Sequence, residues 1–408
     1  MLEPGAKLPP VRELAAALEV SPGTVSAAYR TLRQRGLVTA QGRRGTVVAG
    51  APPLRIRGAR PLPAHARDLA SGNPDPALLP PLQPFTPSHK LYGGPAKLDA
   101  LVELAEADFA RDGIHGELAV VGGALDGIER VLQAELRPGD RVVLEDPSWP
   151  RIADLVHALG LQAEPARVDE RGLVPGDLKQ GLGRGARAVI ATPRGQNPTG
   201  AAVDEERARE LGEILAPHPE VLVLEDDYVA AVAGAPYVSL HDASPRWVVI
   251  RSLSKVIGPD LRIALVAGDE RTIGRVEGRQ LLGPGWVSHL LQQAAAELWS
   301  ASSTKKLLAR ATRVYAERRQ ALVDALAERG IDARGSTGLG VWIPVEEEAA
   351  AVQQLLDRGW AVSPGERFRF RTPPGIRVTT AGLEPVEARE LAAAIDEVVN
   401  GATATYAG

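Results

Sequence analysis

Arg251-Ser252-Leu253-Ser254-Lys255-Val256-Ile257-Gly258-Pro259-Asp260-Leu261-Arg262 decides how the rest of this chain is read. A lysine follows two hydroxyl residues at the end of the apolar run Trp247-Val248-Val249-Ile250, and an arginine stands seven residues further on. A lysine amine condenses with an aldehyde, while hydroxyls and a guanidinium hold a phosphate carried by the same molecule. Pyridoxal phosphate combines those two groups. Lysine is also scarce here, only seven of 47 basic residues, so one that closes a strand-like run carries extra weight. Alone, the stretch reads better as a solvated lysine after a strand. Its chemistry depends on partners elsewhere.

Those partners follow from what the cofactor needs. Its pyridine nitrogen has to stay protonated for the ring to withdraw electrons, which requires a buried carboxylate. Leu224-Glu225-Asp226-Asp227-Tyr228 offers three acids at a strand end. The ring oxygen needs donors, and Tyr228 and Asn197, in Gln196-Asn197-Pro198-Thr199-Gly200, are suitable. Trp149, in Glu145-Asp146-Pro147-Ser148-Trp149-Pro150, offers an aromatic face. Gly122-Gly123-Ala124-Leu125 opens a helix after Ala119-Val120-Val121 and presents backbone amides to a phosphate.

At 408 residues the chain exceeds one ordinary core, so two or three domains are expected. A hydrophobic fraction of 44% and a charged fraction of 24% belong to a globular protein. No apolar run approaches the roughly 20 residues that span a bilayer, and no signal peptide opens the chain. Cysteine is absent, which excludes disulfides and thiolate metal sites. No metal site is expected, and a cytoplasmic location is. The net charge of −4 hides an asymmetry: residues 1–60 carry +7 and the remaining 348 carry −11. A basic head on an acidic body implies a polyanionic partner for the head alone.

Within the head, Val11, Leu14, Ala15 and Leu18 share one face of a helix over residues 10–19. Ser21 caps the next helix, Pro22 takes its first position, and Val25, Ala28, Tyr29 and Leu32 form its apolar face up to Gly36. Leu37-Val38-Thr39 and the stretch from Gln41 to Val48 read as two short strands around a basic turn. The sum is a winged helix-turn-helix, whose second helix enters the DNA major groove while the wing follows the backbone. Leu8-Pro9-Pro10-Val11-Arg12-Glu13-Leu14-Ala15 and the stretch from Val20 to Leu32 resemble the GntR superfamily's DNA-binding domain. That resemblance implies DNA contacts from Thr24, Ser26 and Arg30 on the helix and from Arg43 and Arg44 in the wing. The family's domain has a helix ahead of this point, so the head reads as incomplete, and Pro22 replaces its usual arginine.

Residues 51–68 are Pro- and Arg-rich without hydrophobic period and read as a linker. Beyond them, Val142-Leu144, Ala188-Ala191, Val221-Leu224, Trp247-Ile250 and Ile263-Val266 are short apolar runs separated by helical segments. That pattern predicts an α/β fold with a mostly parallel sheet covered on both faces. Its ligand belongs at the strands' carboxyl ends. After about residue 296 long helices alternate with strands near 340–344 and 375–379, a smaller C-terminal subdomain.

In this order the cofactor residues resemble the fold-type I aminotransferases over roughly 69–403, with large and small subdomains at about 90–295 and 296–403. The resemblance implies that Lys255 forms an aldimine with pyridoxal phosphate and that Asp226 pairs with the pyridinium. It implies that Asn197 and Tyr228 bind the ring oxygen, that Ser252, Ser254 and Arg262 hold the phosphate with Gly122, Gly123 and Ala124, and that Trp149 stacks. Arg377 matches the substrate carboxylate clamp. Tyr92 matches a tyrosine that reaches the partner subunit's phosphate in a homodimer. Gly122 stands where many relatives have a hydroxyl and Leu125 where regulators often have Gln, which implies fewer phosphate donors. Lys97 stands near a usual glycine, with no consequence legible.

A GntR-like head on such a body resembles the MocR-type transcriptional regulators, in which the aminotransferase fold senses pyridoxal phosphate or an amino compound. The competing expectation is an aminotransferase acting on an amino acid with a vestigial head. A cofactor-binding module with neither catalysis nor DNA is the third.

Overall fold

Alternation along the strands builds both faces of the main sheet at once. Val143, Val189, Val223, Val249 and Leu265 enter one core, while Val142, Ala188, Leu222, Val248 and Val266 enter the other. Each such valine or leucine side chain stabilises the fold by about 1.5–3 kcal/mol on leaving water. The computed structural model describes residues 5–34, 38–40, 45–48, 62–82, 86 and 90–400. Its eight-stranded sheet runs in the order Glu117–Val121, Ala264–Gly268, Trp247–Ser252, Leu222–Asp227, Ala186–Ala191, Arg141–Asp146, Gln162–Asp169, Gly172–Leu173. The five strands from Trp247–Ser252 to Gln162–Asp169 pair in parallel, and Ala264–Gly268 is antiparallel to both its neighbours. The apolar runs all lie in strands apart from Val221 and Ile263, each one residue ahead of its strand. Gln162–Asp169 has no such run, because it lies next to the sheet edge and buries only alternate residues.

The carboxyl end of this sheet is held by Arg251. Its guanidinium, 2% exposed, donates to Asp227 at 2.7 Å, Asp108 at 2.7 Å and Asp112 at 2.6 Å, and lies 4.6 Å from the Phe109 ring centre. Asp227 also accepts from Arg194 at 2.9 and 2.8 Å. Although burial opposes ionisation, the two guanidiniums hold Asp227 below the usual carboxylate range. Arg251→Met takes the shared cation from three carboxylates and leaves the buried Asp227 to Arg194 alone, so the urea midpoint is expected to fall by an amount equivalent to about 3 kcal/mol.

A second, smaller core belongs to the C-terminal part. Strands Gly340–Pro344, Gly375–Thr379 and Ser363–Pro364 form a sheet, packed by helices Ser302–Ala327, Glu348–Asp357 and Pro385–Val399. Leu69 is buried in this core with Leu322, Ile376 and Val378. Arg67–Asp68 is a short strand paired in parallel with Trp360–Ala361.

In the head, helices Val11–Ala17 and Pro22–Gln34 pack through Ala15, Val25 and Tyr29, and strands Val38–Ala40 and Thr46–Val48 pair antiparallel. Ser21 caps the second helix by accepting from the Thr24 amide at 3.1 Å. Two expected core residues lie outside it. Leu18 is exposed because the first helix ends at Ala17 and Leu18, as its C-cap, turns out of the helical progression. Ala28 is exposed because the buried stripe runs through Val25 and Tyr29, with Leu32 partly buried beside it, and Ala28 falls to its side. Lys7 adds a bridge to Val47, so the N-terminal segment extends the wing. Among the described residues no helix is long and apolar enough to cross a membrane.

Candidate ligand-binding site

A cavity of about 610 Å³ opens at the carboxyl ends of the parallel strands, between the main sheet and the smaller C-terminal part. Asp226, Lys255, Asn197 and Trp149 line it from one side, Arg377 and Phe368 from the other. Strand alternation settles which of the three consecutive acids faces the cavity. Glu225 turns to the opposite face, where Tyr237, Ser239 and the Leu240 amide donate to it. Asp227 turns the same way and is taken by the two arginines. Asp226 alone points into the cavity. It is 2% exposed, and its Oδ1 is buried with no partner in the protein. Burial, with the charge of Asp227 and Glu145 nearby, pushes its pKa up to about 8. A cationic N–H donor is what that carboxyl lacks.

Lys255 follows the strand Trp247–Ser252 after one turn and donates from Nζ to the Gly72 carbonyl. Burial, and next the Arg377 cation, pull its pKa down to about 8. A neutral, nucleophilic amine is thus accessible near neutral pH.

One end of the cavity is built for an anion. Ser252 Oγ donates to Ser254 Oγ at 3.1 Å and accepts from the Ser254 amide at 3.2 Å, which gathers both hydroxyls. Arg262 takes a left-handed φ of +49° and donates to the Gly122 carbonyl at 3.2 Å. Its guanidinium crosses the start of helix Ala124–Glu135, where Gly123 has φ +104° and a Cβ would stand 2.6 Å from Nη2. Only glycine allows that approach. The amides of the helix's first turn have no intrahelical acceptor and point to the same end. Gly122 differs from expectation: its amide donates to Asp126 Oδ2 at 2.8 Å, which leaves Gly123 and Ala124 to present theirs.

The other end holds Arg377, 7% exposed, on strand Gly375–Thr379. Nη1 donates to Asn197 Oδ1 at 3.3 Å, Nη2 to the Ala70 carbonyl, and Nε is buried without a partner. Phe368 lies 5.1 Å beneath it. Among the described residues no carboxylate forms an ion pair with it. Tyr228 lines the cavity, but its hydroxyl proton goes to the Gly195 carbonyl at 2.8 Å. Donating to a ring oxygen would require leaving that carbonyl. Burial keeps the phenol protonated by raising its pKa.

Tyr92 is not brought into the cavity. It is 93% exposed, against the Trp286 ring at 5.5 Å between centres. Thr24 is exposed at the start of the head's second helix, its hydroxyl 2.9 Å from Ser21 Oγ, and Ser26 is partly exposed two residues on. Arg30 lies on that helix, with its side chain outside what is described; Arg43 and Arg44 lie outside the described residues. Two supports went unread in the sequence. Gln196 donates to Glu145 at 3.0 Å and to the Pro147 carbonyl at 2.7 Å, tying the loop that carries Asn197 to the one that carries Trp149. Asp146 accepts from the amides of Phe370, Arg371 and Thr372, joining the Trp149 loop to the smaller part. Both flank quoted residues, yet their partners are distant in sequence. Lys97, without a legible consequence, bonds the Leu118 carbonyl at 2.7 Å and Glu277 at 2.8 Å.

Comparison with known proteins gives two family matches. Residues 89–395 match Aminotransferase class I and II, and residues 1–48 match Bacterial regulatory proteins, gntR family. The vitamin B6 salvage pathway transcriptional repressor PtsJ of Salmonella typhimurium is 39% identical over 404 residues, 96% of this chain and 93% of the repressor. The HTH-type pyridoxine biosynthesis transcriptional regulator PdxR of Corynebacterium glutamicum is 28% identical over 80% of this chain and 76% of its own. Among solved structures, the multiple substrate aminotransferase of Thermococcus profundus aligns with a TM-score of 0.74 at 20% identity, covering 84% of this chain and 93% of its own. At that identity the likeness concerns the fold.

Proposed function

Because this chain belongs to the aminotransferase class I and II family and is a MocR-type transcriptional regulator with a gntR-family head, we propose that its body binds pyridoxal phosphate at Lys255 and that occupancy of this site sets the head's affinity for DNA. The observation that carries the reading is the buried, unpartnered Asp226 oxygen in one cavity with the Lys255 amine. When bound, the cofactor supplies an aldehyde for an amine and a ring that withdraws electrons. Everything else is supplied by the chain. Asp226 holds a proton-bearing ring nitrogen, and Lys255 is the attachment point. Ser252, Ser254, Arg262 and the amides of Gly123 and Ala124 take the phosphate, while Trp149 covers the ring. Asn197 donates to the ring oxygen, and Arg377 receives the carboxylate of an amino compound.

The partners follow from the same reading. Residues 1–50 bind DNA through Thr24, Ser26, Arg30, Arg43 and Arg44, residues 51–68 link, and residues 69–403 sense. A DNA partner places the protein in the cytoplasm. The exposed Leu91, Tyr92, Leu281 and Leu282 support a homodimer, in which Tyr92 serves the partner's phosphate end. The regulator-type relatives favour this reading over an aminotransferase with a vestigial head.

Titration of fluorescent DNA from upstream of the protein's own gene, at salt from 50 to 200 mM, tests the DNA half. Each phosphate contact adds about −0.9 to the slope of log affinity against log salt. Exchanging Arg43 and Arg44 together for Gln is expected to flatten the slope by about 2. An affinity independent of salt would contradict a DNA-binding head.

A further inference from the structure

Ala70, Ser71, Gly72 and Asn73 line the ligand cavity although they belong to none of its strands or helices. They continue directly from Arg67, Asp68 and Leu69, and everything before these leads back to the head. The start of this segment is anchored in the smaller C-terminal part. The Leu69 amide donates to Ala361 at 2.8 Å, its carbonyl accepts from Thr379 at 2.8 Å, and its side chain is buried there. Asp68 Oδ1 then shapes the turn by accepting the amides of Ala70 at 3.0 Å and Ser71 at 2.9 Å.

What holds the rest of the segment is the ligand-binding machinery itself. Lys255 Nζ donates to the Gly72 carbonyl, and Arg377 Nη2 donates to the Ala70 carbonyl. Ser363 Oγ adds a bond to Ala70 at 2.9 Å. The two cations proposed to take the ligand are therefore committed to the backbone that connects to the head. We propose that residues 68–73 are the transmission element of the regulator: capture of ligand by Lys255 and Arg377 frees the Gly72 carbonyl, leaves the Ala70 carbonyl to Ser363 alone and loosens the segment leading to the DNA-binding head.

The inference rests on the reading that Lys255 takes pyridoxal phosphate. In that step Nζ forms two bonds to the aldehyde carbon, and the aldehyde oxygen leaves as water with both hydrogens of the neutral amine. The nitrogen that remains carries at most one proton, which the adjacent ring oxygen takes as a hydrogen bond, so none is left for Gly72. A carboxylate gripped by two parallel N–H groups of Arg377 competes with the Ala70 carbonyl for Nη2 and weakens that bond. The ligand thus binds the released state of the segment better than the held state, which is the condition for shifting the population between them.

Hydrogen exchange read by mass spectrometry on the full chain, followed by borohydride reduction, tests this with pyridoxal phosphate as the probe. The expected result is a pyridoxyl label on Lys255, with several-fold faster deuterium uptake at Leu69, Ala70 and Ser71 and unchanged uptake in Trp247–Ser252. A labelled Lys255 with unchanged or slower uptake at residues 69–71 overturns the proposal while leaving the binding reading intact. An unlabelled Lys255 overturns the binding reading, and the proposal with it. Asp68→Ala supplies an independent arm, since Asp68 shapes the segment without being placed in the binding machinery. Labelling of Lys255 is expected to stay within about twofold of the parent, while the change in DNA affinity caused by pyridoxal phosphate shrinks at least threefold and is recovered by Asp68→Asn. An unchanged response in Asp68→Ala overturns the transmission role.

Discussion

Lys255→Ala protein, mixed with pyridoxal phosphate and reduced with borohydride, is expected to carry no stoichiometric pyridoxyl label, whereas the parent carries one per chain at Lys255. The loss is complete in direction because the chain has only seven lysines and, among the described residues, Lys255 is the lysine that lines the cavity beside Asp226. The pH dependence adds a second signature. The amine attacks in its neutral form, so labelling rises with pH through the Lys255 pKa of about 8 and levels above it. At pH 7 about one amine in ten is neutral, several hundred times the fraction for an ordinary lysine. Labelling that kept rising towards pH 10.5, or a stoichiometric adduct on another lysine of the variant, would show that the reactive amine is not this one.

Asp226→Asn is expected to lose pyridoxal phosphate about 10- to 150-fold more readily on dialysis, corresponding to the 1.5–3 kcal/mol of a hydrogen bond between charged groups. The same variant has an opposite signature in the protein alone. The Asp226 carboxyl titrates at about 8 in the folded chain, against the lower value of an ordinary aspartate. The folded state therefore binds the extra proton between those values, and stability falls as pH rises through that window. Asn cannot ionise and escapes the penalty. Thermal unfolding without cofactor at pH 8 should then give a midpoint equal to or above that of the parent. A variant that both loses cofactor and unfolds earlier would mark Asp226 as a structural residue. A variant that retains cofactor would end its pairing role.

The difference between Asp226 and its neighbours also marks how far the sequence could be read. Continuous apolar runs announce buried parallel strands, and the cluster around Lys255 announces a phosphate-bearing aldehyde, because both signals are local. Glu225-Asp226-Asp227 is not decided locally. Which acid faces the cavity depends on strand phase, and which is neutralised depends on Arg194 and Arg251, 33 and 24 residues away from Asp227. The head shows the same limit on a smaller scale. Leu18 continues the apolar period, yet the helix ends one residue earlier. Ala70-Ser71-Gly72-Asn73 carries no hydrophobic period at all, and its place in the cavity comes from bonds to Lys255 and Arg377, 183 and 307 residues away. Tyr228 is legible as a cavity residue, but its commitment to the Gly195 carbonyl is not, because a hydroxyl's partner is a matter of a few tenths of an ångström.

The affinity of the full chain for DNA upstream of its own gene, measured at fixed salt with and without pyridoxal phosphate, tests most directly whether the aminotransferase fold acts here as a sensor. The parent protein is expected to change its affinity by about 5- to 150-fold, the usual range of coupling between two sites, and Lys255→Ala to show no change. An equal response in both proteins, or none in the parent once Lys255 is shown to be labelled, would contradict control of the head through this site.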